Sequence, residues 1–386
     1  MLKWVQSGLS AVAGFAEPEY GPDAIQPITK RIADPAHVYR PTTPQDFTWL
    51  SPNYTNVETQ TFYFTDLKNK RVGFAQIIHS NIMGLTTTAQ FTFRLYDASD
   101  VTEVEGEGEE KKEKLNLWTS TKLDNFRTDG YNFYADNLSL EMTDNSKYIL
   151  KSHVNEELIV EFEMERISDG VIFGEDGMTY YGEDPEQPWG SMRHVFWPRC
   201  RINGKITTKT TEYVIEDGLT MFVMALQGMK PHHAAKSWNF INFQSEHYSA
   251  IQMEFTTPMS YGTTKVNIGI VVKDDKVVIG TIDNQVTHLE SEVDEVGWPV
   301  PKKLVFEYTE TEQDEAAAAK VTGDLKNLIE RVDVMAEIPQ FVKNIVSGVA
   351  GAKPYIYQFS NGFEIQVGED QKEEGLGFTE VTFISE

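Results

Sequence analysis

Beyond residue 47 the hydrophobic positions recur at every second residue. In QFTFRLYD (90–97), Phe91, Phe93 and Leu95 fall on one side while Gln90, Thr92 and Arg94 fall on the other. NLSLEM (137–142) and LIVEFEM (158–164) repeat the pattern, which predicts strands with one buried and one wet face. The turn sequences LKNKRVG, RTDGY and RISDG separate them, and such connections are mostly too short for crossover helices, so antiparallel pairing is predicted. A second series begins near Lys205 and runs through KITTKTTEYVIE, LTMFVMAL, AIQMEF, VNIGIVV, KVVIGTI, KKLVFEY, YIYQF and FEIQV. So many strands predict an all-β chain curled into barrels or curved sandwiches rather than one open sheet. HVFWPRCRI (194–202) and EVGWPVPKKLVFEY (295–308) each place Trp-Pro before or at a strand, a faint internal repeat that suits duplicated barrels.

The period of two fails in four places. In MLKWVQSGLSAVAGFA (1–16), Leu2, Val5, Leu9, Val12 and Ala16 share one helical face flanked by Met1, Trp4 and Phe15, and Lys3, Gln6, Ser7, Ser10 and Gly14 gather opposite. This predicts an amphipathic helix with a small-polar face, suited either to a weakly charged membrane surface or to docking on the protein's own body. Acetylation of the Met-Leu terminus would favour insertion by removing a charge. Residues 17–46 carry Pro18, Pro22, Pro27, Pro35, Pro41 and Pro44 and read as an extended arm without helix. VTEVEGEGEEKKEK (101–114) is nearly all charge and glycine and reads as a mobile loop. From 314 to 352, EAAAAK followed by Leu325, Leu328, Ile329, Val332 and Met335, then Phe341, Val342, Ile345, Val346 and Val349, predicts a helical insertion that either caps the second barrel or packs outside it.

Length and charge narrow the options. A chain of 386 residues suits two domains, taken as 47–203 and 204–386. With 59 acids against 34 bases, the net charge of −25 offers nothing to a phosphate backbone and repels anionic lipid, so no nucleic-acid partner is expected and any membrane contact rests on local apolar insertion. Cys200 is the sole cysteine, so no internal disulfide forms. Polar interruptions at Lys3, Gln6, Ser7, Gly8 and Ser10 argue against a secretory signal.

Catalytic signatures are absent. His37, His79, His153, His194, His232, His233, His247 and His288 show no metal-ligand spacing, and neither a nucleophile elbow nor a phosphate-cradling loop occurs. No catalytic residue, metal or cofactor is therefore expected. Glu161 and Glu163 alternate with Phe162 and read as solvent-facing. Aromatic side chains instead crowd into YNFYADNLSLEM, MTYYGEDPEQPWGSMRHVFWP and MFVMALQGMKPHHAAKSWNFINF. A β enclosure lined this way can shelter an apolar ligand, and the candidate lining is Phe91, Phe93, Leu95, Trp118, Phe133, Trp197, Phe222, Met224, Trp238 and Phe240. Each such ring could also simply fill a core.

MLKWVQSGLSAVAGFAEPEYGPDAIQPI, YNFYADNLSLEM, MRHVFWPRC and LTMFVMALQGMKPHHAAKSWNFINFQ closely resemble the fungal survival-factor family associated with resistance to oxidative stress. The resemblance covers nearly the whole chain. It implies two tandem lipocalin-like domains, distantly like carotenoid hydratases and fungal lipocalin-type cyclases. It also implies a non-enzymatic carrier of ceramide or a related lipid between endoplasmic reticulum and Golgi, cytoplasmic and peripheral on those membranes and also in the nucleus, anchored reversibly through Met1, Leu2, Trp4, Val5, Leu9, Val12 and Phe15. Carriage would require an interior void of sphingolipid size. Two other readings stay open: an enzyme acting on an apolar substrate, signalled by a buried His194, Glu141 or Asp136, and a protein-interaction scaffold with filled interiors. If the first segment is the anchor, Trp4→Asp with Leu9→Asp abolishes co-flotation with vesicles while circular dichroism stays that of the parent.

Overall fold

The computed structural model describes residues 21–34, 37–52, 54–82, 86–98, 115–229, 231–309, 318–337, 353–368 and 371–385. The expected N-terminal helix, the acidic loop and the second helical piece at 341–349 lie outside these residues.

The chain is all-β, built from two curled antiparallel sheets. The first contains β1 (Ile25–Gln26), β2 (Tyr39–Pro41), β3 (Asn56–Asp66), β4 (Arg71–Ile82), β5 (Thr86–Asp97), β6 (Asn116–Leu123), β7 (Arg127–Asp129), β8 (Asn132–Ala135), β9 (Leu138–Thr143), β10 (Lys147–Asn155), β11 (Leu158–Arg166), β12 (Val171–Phe173), β13 (Met178–Tyr181), β14 (Gly190–Thr208) and β15 (Glu212–Gln227). Its ladder runs β6-β5-β4-β3-β15-β14-β11-β10-β9-β8-β7, with the short strands at its margin. The second contains β16 (Ser237–Gln244), β17 (Tyr248–Thr256), β18 (Lys265–Lys273), β19 (Lys276–Thr281), β20 (Gln285–Val293), β21 (Pro299–Tyr308), β22 (Ala319–Asp324), β23 (Leu328–Asp333), β24 (Tyr355–Val367) and β25 (Gln371–Phe383), ordered β19-β18-β17-β16-β25-β24-β22-β21-β20 with β23 on β24. The change of sheet falls between Gln227 and Ser237, so residues 204–227, expected with the second half, continue the first sheet through β14 and β15.

Two expectations are corrected. Within the segment read as a helical insertion, residues 319–324 and 328–333 form β22 and β23, followed by one helical turn at Val334–Glu337. Ala319 and Val321 fill the interior of the second sheet on a rung beside β21 and β24, and burial between two strands outweighs the modest helix propensity of an alanine-rich run. The proline arm is mostly extended, with β1 on β13 and β2 on β12, but it contains a helical turn at Ile28–Arg31. Tertiary contacts hold that turn: the Ile28 amide donates to Thr179 Oγ1 at 3.0 Å, and Arg31 grips both carboxylate oxygens of Asp176 at 3.0 Å.

Alternation gives each central strand two buried faces. On β3, Phe62 and Phe64 enter the first sheet's concave core, and Tyr63 points outward to meet Phe240 and Phe378 of the second sheet, each at 5.2 Å between ring centroids. The second concave core gathers around Phe243, Phe306, Tyr308 and Tyr357. Between the sheets runs a third, apolar layer with Met192, Met221, Met253, Phe255 and Ile270. The long β14 bends to serve both its concave core and this layer. Its ladder shifts between Trp197 and Cys200, where Pro198 supplies no amide donor, and again at Gly204. Gly204 has φ +150°, and a Cβ there would sit 2.1 Å from the Glu161 carbonyl oxygen, so only glycine fits.

Polar ties cross the layer between the sheets. Arg199 donates to Ser249 Oγ at 2.9 Å, and Arg94 to Glu330 Oε2 at 2.8 Å. Glu380 shares the outward side of β25 with Phe378 and accepts from Gln358 Nε2 at 3.1 Å. Burial pushes its carboxyl up to about 7, against the opposing pull of Gln358 and Arg94. Since the folded chain holds this proton above the pH at which the unfolded chain loses it, stability present at acid pH declines as pH rises toward and through 7. Glu380→Gln is therefore expected to flatten the pH dependence, gaining up to about 3 kcal/mol over the parent at pH 8 and little near pH 4, as read by denaturant titration.

Candidate functional site on the open side of the first half-barrel

The concave face of the first sheet is stratified along the strand direction. Phe62 lies opposite Ala75 on β4 and Phe222 on β15, and Phe222 lies opposite Trp197 on β14. Their rings fill the centre: Phe62 stacks on Phe222 at 4.4 Å, Tyr148 meets Phe222 at 5.0 Å, and Phe47 meets Trp197 at 5.3 Å. This part of the interior is occupied by the protein's own side chains, contrary to the roomy void expected from the sequence.

One rung further along, the lining turns polar. Gln60 faces Met224 and Ile77, and the next rung sets Glu58 opposite His79 on one side and Leu226 on the other. The loop before β3 folds over this end and lays Trp49 6.4 Å from the His79 ring and 5.1 Å from Phe133. Glu58 fastens that loop, for its two carboxylate oxygens accept from the Leu50 and Ser51 amides at 2.8 and 2.9 Å. Burial raises the Glu58 pKa against the pull of those amides and of Arg193. Arg193 is itself engaged, donating to the Asp46 carbonyl at 2.6 Å and the Asp176 carbonyl at 2.9 Å. Burial lowers the pKa of His79, which holds its imidazole neutral at physiological pH. Trp49 Nε1, both amide atoms of Gln60 and His79 Nδ1 are buried without a hydrogen-bond partner among the described residues.

β6 and β7 end the ladder and do not pair with each other, so among the described residues no strand ladder closes this side of the half-barrel, which is tied just beyond β6 by the Asp136 amide donating to the Asp124 carbonyl at 2.9 Å. Along its rim Leu117, Phe126 and Tyr131 are half-buried and packed on the core, beside Thr119 and Thr121 of β6 and the exposed Arg127, Thr128 and Asp129 of β7. Phe126 stands 5.1 Å from His79, directly in front of the polar rung.

A second feature lies between the sheets, where a cavity of about 20 Å³ is lined by Ile28, Phe173, Thr179, His194, Met253 and Phe255, among others. It has room for about one water. His194 is half-buried beside Trp238, and desolvation together with Arg193 pushes its pKa down to about 4.

The expected lining residues divide among three surroundings. Phe91, Phe93, Leu95, Phe133, Trp197, Phe222 and Met224 line the first concave core. Trp238 and Phe240 pack between the sheets. Trp118 is 53% exposed on the convex side, under the Arg94 guanidinium, because it follows the inward-facing Leu117. Of the three acid or base candidates, only His194 is withdrawn from the surface, and it is half-buried; Asp136 and Glu141 are exposed. Cys200 is buried, and burial pushes its thiol up, away from nucleophilic use. Sequence reasoning missed Trp49, Glu58, Gln60 and His79. A signal existed in NVETQTFYF: Glu58 and Gln60 share the parity of Phe62 and Phe64, which places polar groups on the core face.

The family model described as the Svf1 family matches residues 2–385. The chain belongs to that family. A Candida albicans member named ceramide-binding protein SVF1 is 68% identical, with both chains covered in full. The Debaryomyces hansenii member of the same name is 59% identical, again over the full length of both. Among solved structures, kievitone hydratase from Nectria haematococca aligns with a TM-score of 0.54 over 95% of this chain and 97% of that one. At 12% identity this likeness is one of fold, the lipocalin-like all-β architecture. If the Phe222 stack holds the first half-barrel together, Phe222→Ala costs about 3–5 kcal/mol in chemical denaturation.

Proposed function

We propose that this Svf1-family protein binds ceramide and carries it between membranes, without catalysing a reaction. The observation that carries the reading is full-length identity of 68% to a relative named for ceramide binding. Ceramide suits such a carrier because each methylene removed from water contributes about 0.8 kcal/mol, which leaves the free lipid scarce in solution. A two-chain lipid is far larger than the cavity of about 20 Å³ between the sheets. Loading therefore needs side chains to move aside, and the side between β6 and β7 is where that meets no backbone ladder.

The carrier reading extends to the route implied by the sequence: exchange between endoplasmic reticulum and Golgi by a cytoplasmic protein, also present in the nucleus, with residues 1–16 as a reversible anchor and resistance to oxidative stress as the consequence. A single short amphipathic segment binds weakly enough for the loaded protein to leave. The non-catalytic part is supported by Glu58, the acid buried at the polar rung, whose two oxygens already serve backbone amides. Mass spectrometry of lipids that co-purify with the native protein is expected to find ceramide enriched over phospholipid. Recovery without sphingolipid, together with failure to extract ceramide from vesicles, overturns the assignment.

A further inference from the structure

We infer that Trp49, Gln60 and His79 form the headgroup site, hydrogen-bonding the amide and hydroxyl groups of a neutral N-acylated lipid that enters through the unpaired side of the first half-barrel. The ligand class rests on the ceramide reading above; the place and the residues rest on the geometry alone.

The three side chains occupy one locality. Gln60 pairs with Ile77, and His79 is two residues further along the same face of β4, which makes Gln60 and His79 diagonal neighbours. Trp49 is laid beside His79, 6.4 Å between ring centroids, by the loop that Glu58 fastens. All are more than nine-tenths buried, at 0% exposure for Gln60, 6% for Trp49 and 7% for His79. Leaving a polar atom buried and unpaired is destabilising, and leucine or phenylalanine at these positions would avoid that cost. Four such atoms, Trp49 Nε1, Gln60 Nε2, Gln60 Oε1 and His79 Nδ1, find no partner among the described residues and are free to meet those of a ligand.

The complement they present is specific. Trp49 and the Gln60 amide nitrogen donate, the Gln60 oxygen accepts, and a neutral imidazole does either according to tautomer. A secondary amide flanked by hydroxyls answers all of them. Formal charge is already matched: Glu58 by two backbone amides, and Arg193 by two carbonyls and the nearby Asp46 carboxylate. A phosphate headgroup would bring unmatched charge into this rung, so neutral lipids are favoured. Phe126 and Leu117 at the rim then receive the chains.

The test uses the full-length protein with ceramide and with diacylglycerol of matched acyl chains, each offered in phosphatidylcholine vesicles. The parent is expected to take up ceramide in preference. Gln60→Leu should weaken ceramide binding about tenfold, the scale of a lost buried hydrogen bond, and diacylglycerol uptake by clearly less, because diacylglycerol has no amide N–H to give the Gln60 oxygen. Trp49→Phe, which keeps the ring and removes the N–H, should reduce the preference in the same direction. Ceramide preference retained in both variants, as when the four atoms merely hold water, overturns the site and leaves the carrier reading standing. Equal loss of both lipids in both variants also overturns it. A parent that binds neither lipid overturns the carrier reading and the site together.

Discussion

Burial of both faces of the central strands is the constraint on which the rest of this structure depends. β3, β14 and β15 are lined by a concave core on one side and by the second sheet on the other, and β16 to β18 and β25 are enclosed in the same manner. A sheet with one wet face could stand alone; these cannot, because Met221, Met253, Phe240 and Phe378 would return to water if the sheets parted. The apolar layer between the sheets thus makes one body of two half-barrels. It also sets the chemistry of the groups caught in it. Glu380 is pushed up to about 7 and His194 down to about 4 by the same loss of hydration acting on opposite charge types.

That division of labour frees the concave side of the first sheet. With the outer face committed to holding the molecule together, the inner face tolerates a polar rung at Glu58, Gln60 and His79 and a side that no strand ladder closes between β6 and β7. The aromatic stack of Phe62, Phe222, Trp197 and Tyr148 fills the centre of the interior next to the rung along the strands, which leaves the polar groups toward one end. For the proposed ceramide cargo, this arrangement separates two tasks. Aliphatic surface binds without direction, and a few neutral donors and acceptors supply selectivity for the headgroup. The strongly acidic surface contributes neither task, but it discourages association with anionic membranes and so favours release.

Much of the fold was legible along the chain because strand periodicity is a local property. QFTFRLYD, NLSLEM and LIVEFEM each announce a strand by alternation alone, and their short connections compel antiparallel neighbours. Residues 319–333 read falsely as helix because alanine and spaced leucines describe a preference, and preference yields to packing: β22 lies between β21 and β24, where Ala319 and Val321 face a crowded core. Likewise Trp118 looked like a lining residue by type, and only its register opposite Arg94 places it on the convex side.

The sequence by itself determined that this is an all-β protein with two runs of strands, a large negative charge and family signatures spanning the chain, since these follow from residue types and their spacing. It did not determine which apolar face meets which. Phe93, Phe240 and Trp118 occupy strands of similar character, yet one lies in a concave core, one between the sheets and one in solvent. Curvature and the docking of one sheet on the other decide that, and both arise from contacts between residues far apart in the chain. For the same reason Trp49, Gln60 and His79 come together only in the folded molecule: they sit on a loop and two strands, and the hairpin register and the Glu58 clasp bring them to one place.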